Sequence, residues 1–126
     1  MSERYAKSEA MLARAEAVIP LGTQTFSKSK TQFPRGVSPF YAARASGSRL
    51  WDIDGNEYID FNGSLAAITL GYGDPDVTAA VSAQLADGVL FTLPHPVEVE
   101  AAEAILGLML RADMVRIGRV EEKSAE

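Results

Sequence analysis

The sequence contains no cysteine and only one histidine, His95. Without cysteine the chain cannot form a disulfide framework, a thiolate nucleophile or a Cys/His zinc site, so these three chemistries are excluded. His95 lies between two prolines, a position more typical of a helix cap or a surface residue than of a catalytic base. Ser64 does not lie in a nucleophile-elbow motif, and the sequence therefore predicts no hydrolytic triad.

Long apolar runs are also lacking. No stretch approaches the roughly 20 apolar residues that span a bilayer, and the N-terminus, Met1-Ser2-Glu3-Arg4, does not resemble a signal peptide. We therefore expect a cytoplasmic chain with no membrane partner. The formal net charge is −5, which disfavours nucleic acid as a partner because phosphate binding depends on Lys and Arg. A length of 126 residues predicts a single core.

Acidic residues are absent from one part of the chain and basic residues from another. No acid lies between Glu16 and Asp52, whereas the basic residues Lys28, Lys30, Arg35, Arg44 and Arg49 do, and from Asp52 to Leu110 there is no Lys or Arg. Two interpretations remain open. The basic loop is either solvated and opposite an acidic surface, or a positive patch that receives an anionic ligand.

The pattern of apolar residues and turn signals predicts an α+β fold. Residues Ser2 to Ile19 have the spacing of an amphipathic helix, with Ser2 as its N-cap. One stripe of this helix is predicted to contain Ser8, Met11, Leu12, Ala15, Val18 and Ile19. Residues Leu21 to Pro39 have no periodicity and many Gly, Ser, Thr and Pro residues, which predicts a long irregular loop. Three short strands separated by tight turns then predict a small antiparallel sheet: Phe40 to Ala45, Arg49 to Ile53 and Tyr58 to Phe61.

Two further helices and an orphan strand follow. Asp74 is predicted to be the N-cap of a helix that ends at Gly88, and a second helix is predicted from Val97 to Leu110. Met114 to Ile117 resembles a strand with no successor, and a charged, aperiodic tail comes after it.

Two motifs partly resemble ligand sites. The segment Asp52 to Glu57 alternates oxygen-bearing side chains but has its glycine at the wrong position for an EF-hand, so it predicts a hairpin turn. Gly71-Tyr72-Gly73 lacks the third glycine of a dinucleotide fingerprint and is better explained as a bend before a helix. None of the lysines, Lys7, Lys28, Lys30 and Lys123, is placed where desolvation would prepare it for a Schiff base.

The run from Gly47 to Phe61 closely resembles the start of class III pyridoxal-phosphate (PLP) aminotransferases, the group that includes glutamate-1-semialdehyde aminomutase. Matching residues continue through Leu70 to Tyr72, Asp74 to Val77, Glu98 to Glu103 and Met114 to Arg116. The resemblance implies that residues 1–117 are the N-terminal segment of a fold type I enzyme and that 118–126 are a tail outside the family pattern. It implies a homodimeric, PLP-dependent parent that transfers amino groups.

The same resemblance implies a role for two short segments, the loop from Gly22 to Lys30 and the segment from Asn62 to Leu65. In the family they line the substrate side of the pocket, and here they contribute the candidate residues Ser27, Lys28, Ser64 and Leu65. The first loop has no arginine at the place where the aminomutase uses one for the substrate carboxylate. Gly118-Arg119-Val120-Glu121 replaces the turn that holds the cofactor phosphate, and no family lysine for the aldimine is present.

Three hypotheses follow. In the first, the chain is a truncated class III aminotransferase that is inactive alone and does not bind PLP stably. In the second, it is a non-catalytic interaction module that associates with a full-length homologue. Self-association is expected under the first hypothesis, because apolar faces that the family covers would be exposed. In the third, it is a small independent domain that uses the basic loop to bind an anion.

Overall fold

A computed structural model describes residues 3–117. It divides the chain into two compact units, Met1–Ala80 and Val81–Glu126. The main elements are helix α1 (Ala6–Glu16), strands β1 (Ala42–Ser46), β2 (Arg49–Asp52) and β3 (Glu57–Ile59), and helices α2 (Pro75–Asp87) and α3 (Pro96–Leu108). The α+β prediction is confirmed. No helix within residues 3–117 is both long enough and apolar enough to cross a bilayer.

The three strands form an antiparallel meander in the order β1-β2-β3. Arg49 pairs with Ile59 and Trp51 pairs with Glu57 across the second hairpin, whose turn contains Asp54, Gly55 and Asn56. Gly55 has a φ of +93°, which is a conformation that glycine adopts without steric cost. The hairpin interpretation of Asp52 to Glu57 is therefore confirmed.

Helix α1 packs in the first unit together with the sheet and the loop of residues 20–41. Tyr5, Leu12 and Ala15 are the buried apolar residues, and Ser8, Ser29 and Asp52 are buried with them. Ser8, Leu12 and Ala15 belong to the predicted apolar stripe, but Val18 from the same stripe is exposed. The predicted cap, Ser2, lies outside the described residues, and the helix is preceded by a short 3-10 turn, Glu3–Tyr5.

Both later helices begin as their cap residues predict. The Asp74 carboxylate accepts hydrogen bonds from the backbone N–H groups of Asp76 and Val77, at 3.1 and 3.0 Å. At α3, His95 Nδ1 accepts from Val97 N at 3.2 Å, and Glu98 Oε1 accepts from His95 N at 3.1 Å. This pair of bonds is a capping box, so His95 is a helix cap.

The predicted orphan strand, Met114 to Ile117, is wrong. These residues are irregular, and within the described part of the chain the sheet consists of β1 to β3 alone. A strand needs a neighbour to accept and donate its backbone hydrogen bonds, and the apolar pattern of these four residues gives no information about whether one exists. The predicted tail, residues 118–126, lies outside the described residues.

Candidate functional site

Ser27 and Lys28 lie on a short 3-10 turn, Phe26–Lys28, within the irregular loop. The turn is closed by backbone bonds from Lys28 N to Thr25 O at 3.2 Å and from Ser29 N to Phe26 O at 3.0 Å. Ser29 is fully buried and its hydroxyl lies 2.6 Å from that of Thr31. Lys28 is exposed and has no ion-pair partner among residues 3–117.

Ser64 and Leu65 lie on a second turn with an unusual backbone. Four consecutive residues, Gly63 to Ala66, have φ between +55° and +66°, although left-handed backbone is unfavourable for residues that carry a Cβ. Leu65 N donates to Asn62 Oδ1 at 2.6 Å, and Ile68 N donates to Gly63 O at 3.0 Å. Backbone held in this region costs free energy and is often found at functional sites.

Asp60 fixes the start of this turn. Its Oδ1 accepts hydrogen bonds from Asn62 N at 2.8 Å and Gly63 N at 3.1 Å, and its Oδ2 accepts from the Tyr72 hydroxyl at 2.6 Å. The bond from Tyr72 lowers the pKa of Asp60 more than desolvation raises it, and the same bond raises the pKa of Tyr72. The structure therefore joins Ser64 and Leu65 in one turn, while Ser27 and Lys28 lie in another with different anchors.

Most of the basic residues before Asp52 have partners within the chain. Lys30 forms an ion pair with Glu16, and Arg49 forms one with Glu57. Arg35 Nη2 lies 2.5 Å from Glu9 Oε2, and the Arg44 guanidinium lies 3.6 Å from the centre of the Trp51 ring. Lys28 is the member of the five for which the structure gives no such partner. These pairings favour the solvated-loop interpretation over a patch that collects anions.

A PLP site needs a lysine whose ammonium is desolvated or close to another cation, so that its pKa falls. Lys7 and Lys28 are exposed, and Lys30 is exposed and paired with Glu16. Lys123 lies outside the described residues, as does the segment Gly118 to Glu121. No described lysine fits the role of the aldimine lysine.

A PLP site also needs donors for the phosphate, which helix N-termini commonly supply. All three α-helices of residues 3–117 already have their N-terminal amides occupied by side chains of this chain. Asp54 accepts from Lys7 N and Ser8 N at α1, and Asp74 and His95 cap α2 and α3. The described residues therefore do not fit the cofactor, and they contain no group of three acidic or histidine side chains suited to a metal ion.

Residues 32–119 match the sequence model of the family "Aminotransferase class-III", and the chain belongs to this family. It is 41% identical over 114 residues to the glutamate-1-semialdehyde 2,1-aminomutase of Gemmatimonas aurantiaca, covering 89% of this chain and 25% of that protein. The aminomutase of Chloroflexus aggregans is 37% identical over 117 residues, covering 91% of this chain and 26% of the relative. The chain thus spans about a quarter of the length of these curated relatives.

Solved structures give the same relationship. An omega-transaminase from Sphaerobacter thermophilus superposes with a TM-score of 0.70 at 34% identity, over 84% of this chain and 24% of that one. The FumI protein of a Sphingopyxis species, solved as its PLP internal aldimine, gives a TM-score of 0.77 at 34% identity. The superposition covers 86% of this chain and 26% of that one. The observed helices and antiparallel sheet are therefore a segment of the fold type I aminotransferase fold.

Sequence reasoning missed the structural roles of three aspartates, Asp52, Asp54 and Asp60. The sequence indicates only a turn for Asp52 and Asp54. Asp52 binds Asn56 and Tyr58 within the hairpin, yet Asp54 binds the first turn of α1, where Ser8 is 46 residues away along the chain. No local pattern encodes a contact of that length. Asp60 offered a weak signal, because an aspartate two residues before an Asn-Gly pair is placed to accept backbone bonds in the following turn.

Proposed function

We infer that this chain supplies the N-terminal, substrate-side part of a PLP-dependent aminotransferase and that the 126-residue polypeptide does not hold PLP by itself. Residues 1–117 carry the family segment in this proposal, and residues 118–126 lie outside it. Ser27, Lys28, Ser64 and Leu65 then face the substrate in the assembled enzyme. The whole protein would transfer amino groups, as a transaminase or an aminomutase.

The observation that carries the proposal is the contrast between the family match and the cofactor chemistry. The match extends over residues 32–119, yet no described lysine is desolvated and every α-helix N-terminus in residues 3–117 is already capped by the chain. The strained turn at Gly63 to Ala66 supports the pocket assignment, because its backbone cost is retained at an exposed position.

Reduction with borohydride tests the cofactor part. The purified chain is mixed with PLP, reduced and examined by mass spectrometry, with a full-length class III aminotransferase as the positive control. We expect stoichiometric labelling of one lysine in the control only. Stoichiometric labelling of one lysine in this chain would contradict the proposal, and a Lys28→Arg variant would show whether Lys28 is the labelled residue.

A chimera tests the pocket part. Residues 1–117 replace the matching segment of the Gemmatimonas aminomutase, and amino transfer is measured. We expect Lys28→Ala to raise KM in an active chimera, whereas Lys7→Ala, an exposed change on α1, leaves it unchanged. Equal effects of the two substitutions would remove Lys28 from the pocket.

The second candidate, an interaction module, is favoured by one observation. Apolar side chains of the second unit are largely exposed, among them Leu85 at 58%, Leu90 at 94% and Leu108 at 87%. Exposed apolar surface of this kind promotes association. Light scattering distinguishes the candidates: the first predicts self-association of the chain alone, and a stable stoichiometric complex with a full-length class III aminotransferase would instead favour the module.

A further inference from the structure

We propose that Asp54 is a positioning residue: it holds the first turn of α1, and α1 in turn holds the loop of residues 20–41 that carries Ser27 and Lys28. The contacts of Asp54 with α1 and of α1 with the loop lie within this chain and do not depend on a ligand. The importance of the loop for substrate rests on the function proposed above.

The first step is the contact between Asp54 and α1. Asp54 Oδ1 accepts from Lys7 N at 2.7 Å, and Oδ2 accepts from Ser8 N at 3.0 Å and from Ser8 Oγ at 2.5 Å. Tyr5, the N-cap residue of α1, makes no side-chain capping bond. Asp54 therefore supplies the acceptor that the helix lacks locally, and its negative charge is favourable at the positive end of the helix.

The second step is the rigidity of the turn that carries Asp54. Asp52 is 2% exposed, and its carboxylate accepts from Asn56 N at 2.8 Å, Asn56 Nδ2 at 2.9 Å and the Tyr58 hydroxyl at 2.8 Å. Asn56 Nδ2 also donates to Arg4 O at 3.0 Å. Because a buried carboxylate is stable only when it is fully bonded, Asp52 fixes the shape of the turn.

The third step is the attachment of the loop to α1. Gly22 packs so closely that a Cβ there would lie 2.8 Å from Leu12 Cδ1. Further along the loop, Lys30 pairs with Glu16, and Arg35 pairs with Glu9. The Tyr5 hydroxyl donates to Val37 O at 3.4 Å. The loop is thus held at four points by α1 and the residue before it.

Charge distinguishes this role from simple packing. The charged neighbour that acts on Asp54 directly is Asp52, and Lys7 contacts Asp54 through its backbone N–H. Tyr58 bonds to Asp52, Tyr5 acts on Tyr58, and the Arg4 guanidinium lies 5.4 and 5.9 Å from the centres of the Tyr5 and Tyr58 rings. Desolvation raises the pKa of Asp54, but the bonds from Ser8 and Lys7 outweigh it, so the pKa lies below its ordinary value. The stabilisation is therefore complete above the unfolded pKa and is lost as the pH falls through the folded pKa.

Hydrogen exchange on the full chain tests the proposal. In Asp54→Ala we expect amides in two places, the first turn of α1 and the loop at Lys28, Ser29 and Gln32, to exchange roughly tenfold faster than in the parent chain. Asp74→Ala, which removes the equivalent cap from α2, is the matched control and leaves the loop unchanged. Faster exchange in α1 with an unchanged loop would overturn the proposal.

Asp54→Asn provides a second test if the amides of the whole sheet exchange faster in the alanine variant. It keeps the size of the side chain and removes the charge, so we expect a difference in loop protection from the parent at neutral pH. That difference should close as the pH falls through the folded pKa of Asp54. No difference at neutral pH, or one that persists in acid, would overturn the charge-dependent role of Asp54. Neither readout depends on PLP, so this inference and the proposed function can fail separately.

Discussion

Among the glycines of residues 3–117, Gly71 is the one at which a Cβ would lie closest to backbone atoms. Its φ is +91°, and a Cβ there would lie 3.0 Å from Gly47 O and 3.2 Å from Gly47 Cα. The approach is close because Gly47 and Tyr72 exchange two backbone hydrogen bonds, each of 2.8 Å. In Gly71→Ala, either the left-handed backbone at residue 71 or the pair of hydrogen bonds between Gly47 and Tyr72, the Gly47–Tyr72 bridge, must therefore change.

The expected cost has two parts. A residue with a Cβ loses about 1–2 kcal/mol in a left-handed conformation, and crowding against backbone adds about 1–3 kcal/mol. Gly73 provides a control within the same segment, because its φ is +66° but a Cβ there would have no neighbour within 4 Å. Gly73→Ala should incur the conformational cost alone.

Urea unfolding followed by Trp51 fluorescence measures the difference. Trp51 lies on β2 and its indole N–H donates to Glu57 at 3.1 Å, so it reports on the sheet that the bridge adjoins. We expect Gly71→Ala to lower the free energy of unfolding by at least about 1 kcal/mol more than Gly73→Ala. Equal losses in the two variants would show that the contact with Gly47 is unimportant.

Two further substitutions test the turn and the cap. Gly55→Val should cost about 1–3 kcal/mol in the same urea assay, because φ is +93° and the site is otherwise open, and Gly55→Asn should cost less; equal effects would contradict the backbone explanation. His95→Ala should cost about 1 kcal/mol by removing the acceptor for Val97 N, whereas His95→Asn should keep most helicity in far-UV circular dichroism. Unchanged helicity in the alanine variant would refute the capping role.

The elements that the sequence predicted best are those whose signals are local. Asp74 and Pro75 mark the start of α2, and Gly88, with a φ of +105°, lies just after its end. The hairpin turn at Asp54 to Asn56 was equally clear, because Gly and Asn accept backbone conformations that other residues avoid. In each case the residues that specify the element lie within it or directly beside it.

Contacts between distant segments could not be predicted from local sequence signals. The sequence left a solvated basic loop and an anion site as open alternatives, because Glu9 and Glu16, the acids that pair with Arg35 and Lys30, lie on a helix that precedes the loop. The candidate pocket residues Ser27, Lys28, Ser64 and Leu65 rested on family resemblance, and their role stays a prediction. The sequence also does not show which strands are neighbours in a sheet. The prediction of a strand at Met114 to Ile117 was wrong for that reason.

The average apolar composition of the chain contrasts with its small core. The chain is 47% hydrophobic, yet among the described residues the buried apolar side chains are Tyr5, Leu12 and Ala15. Three buried polar side chains, including Asp52, join the core, and their bonds make burial tolerable without adding apolar contacts. The chain spans about a quarter of the length of the curated relatives it matches. The exposed leucines of α2 and α3 need a further polypeptide surface to cover them, which is the rest of the enzyme in our first candidate function and a full-length relative in the second.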